Sequence, residues 1–102
     1  MSLREIPIPQ DRPHFRLLVT LDEVDCSFEF HFNSRDEHWY FNLSTYEGEM
    51  VVSSVKVVAG VDFFAKRHND SRIPMGSLYV SATPTEDNFG TEIKLYYGAV
   101  LG

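Results

Sequence analysis

Between Cys26 and Leu43, large apolar and polar residues alternate. Phe28, Phe30 and Phe32 are interleaved with Ser27, Glu29 and His31. After Asn33-Ser34-Arg35-Asp36, Trp39, Phe41 and Leu43 are interleaved with His38, Tyr40 and Asn42. A period of two marks strands with one buried face. A two-residue turn at Ser34-Arg35 would set Phe30 opposite Trp39, Phe28 opposite Phe41 and Cys26 opposite Leu43. Every large apolar residue then lies on one side, and a slip of one residue would put half of them in water. The stretch predicts a hairpin built as an aromatic wall, and it shows no catalytic pocket.

The same reading extends along the chain. Leu3–Ile8 predicts a short edge strand, because Pro7 and Pro9 lack a ladder N–H. His14–Leu21 alternates Phe15, Leu17, Val19 and Leu21 against His14, Arg16, Leu18 and Thr20. Asp22-Glu23 makes a tight turn into Val24–Phe32. Glu47-Gly48 is a second turn, where Gly supplies a positive φ, and Glu49–Val58 is rich in β-branched valine. These five elements predict an up-and-down meander. The pattern breaks at Gly60. Val61–Arg67 is compatible with one helical turn, with Phe63 or Phe64 plugging an open end of the sheet. Arg67–Gly76 and Pro84–Gly90 are loops, and Ser77–Thr83 and Thr91–Tyr97 are strands, followed by the apolar tail Ala99-Val100-Leu101-Gly102. The fold class is all-β: a small antiparallel β-barrel or sandwich of about seven strands with at most one short helical turn. Residues 1–102 are expected to form a single β domain.

Composition narrows the function classes. The chain has 102 residues, nine Lys+Arg against fifteen Asp+Glu, and a net charge of −6. It lacks the basic stripe that phosphate contact requires, so nucleic acid is not an expected partner. Anionic membrane surfaces are disfavoured for the same reason, and no apolar run approaches the ~20 residues of a membrane-spanning helix. The N-terminus lacks the apolar core of a signal peptide, so synthesis in a reducing cytoplasm is expected. The single cysteine, Cys26, excludes an internal disulfide framework and a Cys-based zinc site. On the inward face of a strand it reads as an inert thiol.

Four sets of residues carry candidate chemistry. His31 and His38 are directly opposite in the predicted hairpin, with Glu29 the only near third ligand. A catalytic zinc usually takes three protein ligands, and an exposed polar pair is the plainer reading. Asp87 with Glu92, and Asp22 with Glu23 and Asp25, are paired carboxylates, but in predicted turns they serve as caps. Tyr40, Tyr96 and Tyr97 would either line a ligand cavity or form a sheet face covered by a partner. Arg67-His68 with Arg72 is a small basic loop. No G-x-S-x-G elbow and no phosphate-binding glycine loop is present. No catalytic residue, metal site or cofactor is assigned.

A longer pattern is more specific. It runs Ile6-Pro7-Ile8, the Phe15–Leu21 strand, Trp39-Tyr40-Phe41, the Tyr46-Glu47-Gly48-Glu49-Met50 turn and the Gly60-Val61-Asp62-Phe63-Phe64 break. It closes with Gly76-Ser77-Leu78-Tyr79-Val80, Phe89-Gly90-Thr91 and Leu95-Tyr96-Tyr97. In order and spacing this resembles the baseplate-plug proteins of contractile-tailed phages, typified by a cyanophage baseplate plug. The chain departs from that pattern within Val51–Val58, where Ser53-Ser54 stands in place of a Gly or Pro break.

The resemblance implies a virion structural protein without enzyme activity, made in the bacterial host cytoplasm and seated in the tail baseplate. Its implied partners are phage tail hub and tube proteins, with homo-oligomer formation open. Trp39, Phe41, Phe63 and Phe64 are expected in the core. Interface candidates are Leu3, Ile6, Ile8, Arg67, His68, Arg72, Phe89, Val100 and Leu101, with edge-strand addition through Leu3–Ile8 as one mode. On that reading, deleting residues 1–8 abolishes assembly and leaves the core folded. The alternative is a small-molecule-binding β-barrel of unknown ligand.

Overall fold

A computed structural model describes residues 3–9, 13–65 and 70–98. In chain order its strands are β1 Leu3–Ile6, β2 His14–Leu21, β3 Val24–Asn33, β4 His38–Ser44, β5 Met50–Lys56, β6 Ser77–Val80 and β7 Leu95–Gly98. All pairings are antiparallel. They form a four-stranded sheet, β2-β3-β4-β5, and a three-stranded sheet, β1-β7-β6. The described residues contain no helix. The architecture is a sandwich of two sheets and not a closed barrel.

The expected meander of five is a meander of four. β1 leaves it and pairs with β7, from Leu3↔Gly98 to Ile6↔Leu95. Pro7 and Pro9 follow directly and cannot extend the ladder. Ile6 and Ile8 are instead buried between the sheets. Deleting residues 1–8 would therefore remove core side chains, contrary to the expectation that the core survives it.

The β3–β4 register also differs. The connection is the four-residue loop Ser34–Glu37, and the pairs are Phe32↔Trp39, Phe30↔Phe41 and Phe28↔Leu43. The shift is two residues, so each side chain keeps its face. Loop chemistry sets it. Asn33 Oδ1 accepts from the Arg35 N–H at 2.9 Å, the Glu37 N–H donates to Asn33 O at 2.8 Å, and Glu37 closes the loop at φ 59°. The β2–β3 turn at Asp22-Glu23 is as tight as expected, with both residues at positive φ, 48° and 67°, the form that matches strand twist in two-residue hairpins. At the β4–β5 turn Gly48 takes φ 94°.

β5 is irregular. Phe41 pairs with Val55 and Leu43 with Val52, so Ser53 and Ser54 together face Asn42. Ser54 has φ 55°, and its N–H donates to Asn42 Oδ1 at 2.8 Å. A serine pair thus makes the bulge where a Gly or Pro break was expected. After Gly60, the expected helical turn is a single hydrogen-bonded turn in which the Ala65 N–H reaches Asp62 O. The last two strands are shorter than the alternation suggests. Gly90 N–H to Ile93 O and Ile93 N–H to Asn88 O, at 2.7 and 3.0 Å, fold Thr91 and Glu92 into a loop.

The core is aromatic. Phe15, Phe28 and Phe41 pack on Phe30, with centroid separations of 5.2, 5.8 and 5.4 Å. Phe89 closes on Phe30 and Trp39 at 5.6 and 5.4 Å. Phe63 meets Phe41 edge-on at 5.7 Å, and Phe64 meets Tyr97 at 6.3 Å. Trp39, Phe41, Phe63 and Phe64 are all buried, as expected. The Trp39 indole N–H donates to Thr85 O at 2.8 Å, pinning the loop before Phe89. Replacing a buried Phe with Ala costs about 3–5 kcal/mol. Phe30→Ala should lose stability of that order in urea titration, whereas Leu18→Ala, on the exposed face, should stay within about 0.5 kcal/mol of wild type.

Candidate interaction surface

The register separates the predicted histidine pair. His31 lies between His14 on β2 and Tyr40 on β4, and stacks on the Tyr40 ring at 5.8 Å. His38 faces Asn33, and its Nδ1 is 2.7 Å from Asp36 O. Glu29 turns to His14 Nε2 at 2.9 Å, which with Asn42 holds its carboxyl below the usual range. Among the described residues no three His, Cys, Asp or Glu are arranged to hold a metal ion.

The three tyrosines fall on three different surfaces. The Tyr40 hydroxyl donates to Asp36 on the outer face of the larger sheet. That bond raises the phenol pKa and lowers the carboxyl's. Tyr96 stacks on Tyr79 at 5.8 Å, and Tyr97 is buried between the sheets. They line no common cavity. The candidate carboxylates are turn residues: Asp22 and Glu23 form the β2–β3 turn, Asp25 accepts from the Thr20 hydroxyl at 2.8 Å, and Asp87 and Glu92 lie exposed. Burial pushes the Cys26 thiol up to about 12, so it is protonated and inert at neutral pH.

Tyr97 joins the sheets. Its hydroxyl donates to Asp22 Oδ2 at 2.5 Å and accepts from the Gly76 N–H at 2.8 Å. Burial first, and then the bond to Asp22, raise its pKa well above the ordinary phenol value. A Cβ on Gly76 would sit 2.2 Å from Gly98 O and 2.6 Å from the Tyr97 ring, so only glycine fits. At the other joint, Gly90 has φ 92° and its absent Cβ would fall 2.9 Å from Ile8.

The interface candidates disperse. Ile6, Ile8 and Phe89 are spent on this chain's own core. Leu3 opens β1 opposite Gly98. Arg72 is half-buried in a network, 2.8 Å from both Asp70 Oδ2 and Glu49 Oε1. The guanidinium holds the Asp70 carboxyl at about 2. Arg67, His68, Val100 and Leu101 lie outside the described residues. Among the described residues the exposed large apolar side chains are Leu18, Tyr46, Met50, Val61 and Met75, none of them named as an interface candidate from the sequence. Leu18 was legible, since it interrupts the polar phase of β2. Val61 borders an open cleft of about 350 Å³ lined also by Gly60, Asp62, Ser77, Tyr79 and Val80.

Several residues of the longer pattern occupy the joints of the sandwich: Ile8 against Gly90, Gly76 against Tyr97, and Trp39 against Phe89. A family model described as cyanophage baseplate Pam3 plug gp18 matches residues 3–100. The chain belongs to this family. Comparison with curated proteins gave no match. Membership makes the chain a structural component of a phage tail baseplate, in contact with other baseplate proteins.

Two outcomes test the joints. Tyr97→Phe removes a buried hydroxyl bonded to both Asp22 and the Gly76 N–H, so stability should fall by about 1–3 kcal/mol in urea titration. The Asp70 carboxyl, lowered in the folded state, contributes stability above about pH 4 that is lost as pH falls toward its folded value. By carbon-detected NMR, Arg72→Ala should raise the Asp70 titration toward the ordinary carboxylate range, while the backbone N–H of residue 72 keeps part of the lowering.

Proposed function

We propose that this chain is the plug at the centre of a contractile-tail baseplate, held by packing against the hub and tube proteins. The observation that carries this reading is the family match over residues 3–100. The physical character of the molecule supports it. Among the described residues the interior is packed with aromatic rings, and Tyr40, Tyr96 and Tyr97 do not converge on one cavity. That removes the main support for the small-molecule-binding alternative. Asp36, Asp62 and Asp70 cap turns, Asp22 makes the Tyr97 tie, and Arg72 pairs with Asp70 and Glu49, the roles of a scaffold. The chain acts without enzyme activity, as a single domain made in the host cytoplasm and carried in the virion.

The contact surfaces of this reading are the exposed apolar residues Met75 and Val61 beside the cleft, Tyr46 and Met50 at the β4–β5 turn, and the outer edge of β1 from Leu3. Arg67, His68, Val100 and Leu101 remain candidates, while Ile6, Ile8 and Phe89 act indirectly by holding β1 and the β7 approach in place. Partner side chains covering isolated apolar residues of this kind form the core of an ordinary protein interface.

Size-exclusion chromatography with light scattering, on the protein co-expressed with candidate hub and tube proteins of the same phage, tests the reading. A stable co-eluting complex is expected. Protein that elutes alone, while hub and tube proteins associate without it, would overturn the assignment.

A further inference from the structure

A two-sheet sandwich has four edge strands, here β1, β6, β2 and β5. Unpaired edges invite pairing with another chain unless they are short, bulged, charged or covered. Three of the four are managed in this way. β5 is broken by the Ser53-Ser54 bulge. On β6 the edge-facing backbone groups of Leu78 are covered, its N–H donating to Asp62 Oδ1 and its carbonyl accepting from the Phe63 N–H. β1 has four residues and runs into Pro7.

β2 is not managed. It is eight residues long, regular in register, and contains neither Pro nor Gly. The Phe32 N–H donates to Pro13 O, so Pro13 and the alternate residues after it bond to β3. In an antiparallel ladder the intervening residues, His14, Arg16, Leu18 and Thr20, then aim their backbone groups outward. Thr20 O receives the Arg4 guanidinium at 2.8 Å; the backbone groups of His14, Arg16 and Leu18 have no partner among the described residues. At the middle of this open stretch Leu18 is 59% exposed on one face, and Leu17 is the one inward residue of β2 left only half-buried.

The charge along this edge is polar. His14 and Arg16 lie at one end, and Asp22, Glu23 and Asp25 at the other. A strand with this distribution is complementary to itself when antiparallel and repels itself when parallel. We propose that β2 is a homodimerisation edge. Two copies pair β2 to β2, antiparallel, about a two-fold axis through Leu18. Leu18 lies against Leu18 of the second copy, Arg16 against Thr20, and Leu17 beside Val19. His14 comes alongside the acidic Asp22-Glu23 turn, twice over by symmetry. Each exposed leucine is covered by its equivalent, and like charges are kept apart. The arrangement is an isologous contact and stands whether or not the baseplate reading holds.

Cysteine cross-linking reads the register directly. Directly opposed residues in a hydrogen-bonded antiparallel pair have Cα atoms about 5.5 Å apart, within disulfide reach. Cys26 is fully buried, so a cysteine introduced on the β2 surface is the accessible thiol. With oxidised glutathione taking up the two electrons and the two thiol protons, Leu18→Cys should form a covalent dimer rapidly. Arg16→Cys, displaced from its own equivalent by about 14 Å along the strand, should not. In sedimentation equilibrium the wild type should dimerise reversibly, and Arg16→Glu should weaken the dimer by about tenfold. A wild type that stays monomeric at its highest soluble concentration would overturn the proposal. So would a dimer in which Leu18→Cys cross-links no faster than Arg16→Cys.

Discussion

Phe30 is fully buried and touches four other rings: Phe15, Phe28 and Phe41 on its own sheet, and Phe89 from the opposite side. The rest of the sandwich is arranged around that burial. It requires β2, β3 and β4 to present their large residues on one face. It also requires a second layer to close over them, and the short β1-β7-β6 sheet needs help from Phe63, Phe64 and Phe89 to do so. The loops that deliver these rings are therefore part of the core. Asp62 caps the turn that inserts Phe63 and Phe64, and the Trp39–Thr85 bond holds the approach to Phe89. A domain of this size has little surplus stability, so polar ties such as Tyr97–Asp22 matter in proportion.

Much of this was legible in the alternation, and what was not has physical reasons. The buried face of each strand followed from period two. The β3–β4 register did not, because a slip of two residues leaves every side chain on its face. The decision falls to the backbone bonds of Asn33 and the conformation of Glu37, which hydrophobic pattern does not report. β1 read correctly as an edge strand but was given the wrong sheet, since its partner β7 lies at the far end of the sequence and leaves no local trace. Glu92 alternated well enough to read as strand, yet Asn88 and Gly90 close a loop around it. The candidate chemistry dispersed for the same reason as the register: once His31 faces His14 and Tyr40, the pair with His38 does not exist.

The joints of the sandwich and its exposed apolar positions are held by different residues. Gly76, Gly90, Trp39 and Tyr97 are confined by sterics or buried bonds, so they define the scaffold that a family can be recognised by. Leu18, Val61, Met75 and Met50 are exposed and free of such constraint. A motif built from joints identifies the assembly to which the chain belongs while remaining silent about where its neighbours touch it.

The pairing of β1 with β7 has a consequence for timing. During synthesis Leu3 emerges early and waits for Gly98, with the whole four-stranded meander made in between. The meander forms from neighbouring hairpins and is within reach of the growing chain. The second layer is not, because its central strand comes last and loop closure over such a span is entropically costly. Until that strand is released, the aromatic wall has no cover and the Tyr97 tie has no hydroxyl to offer. Closure of the sandwich therefore waits for β7, and a chain made only as far as the meander has neither the cover over its aromatic wall nor the tie between its sheets.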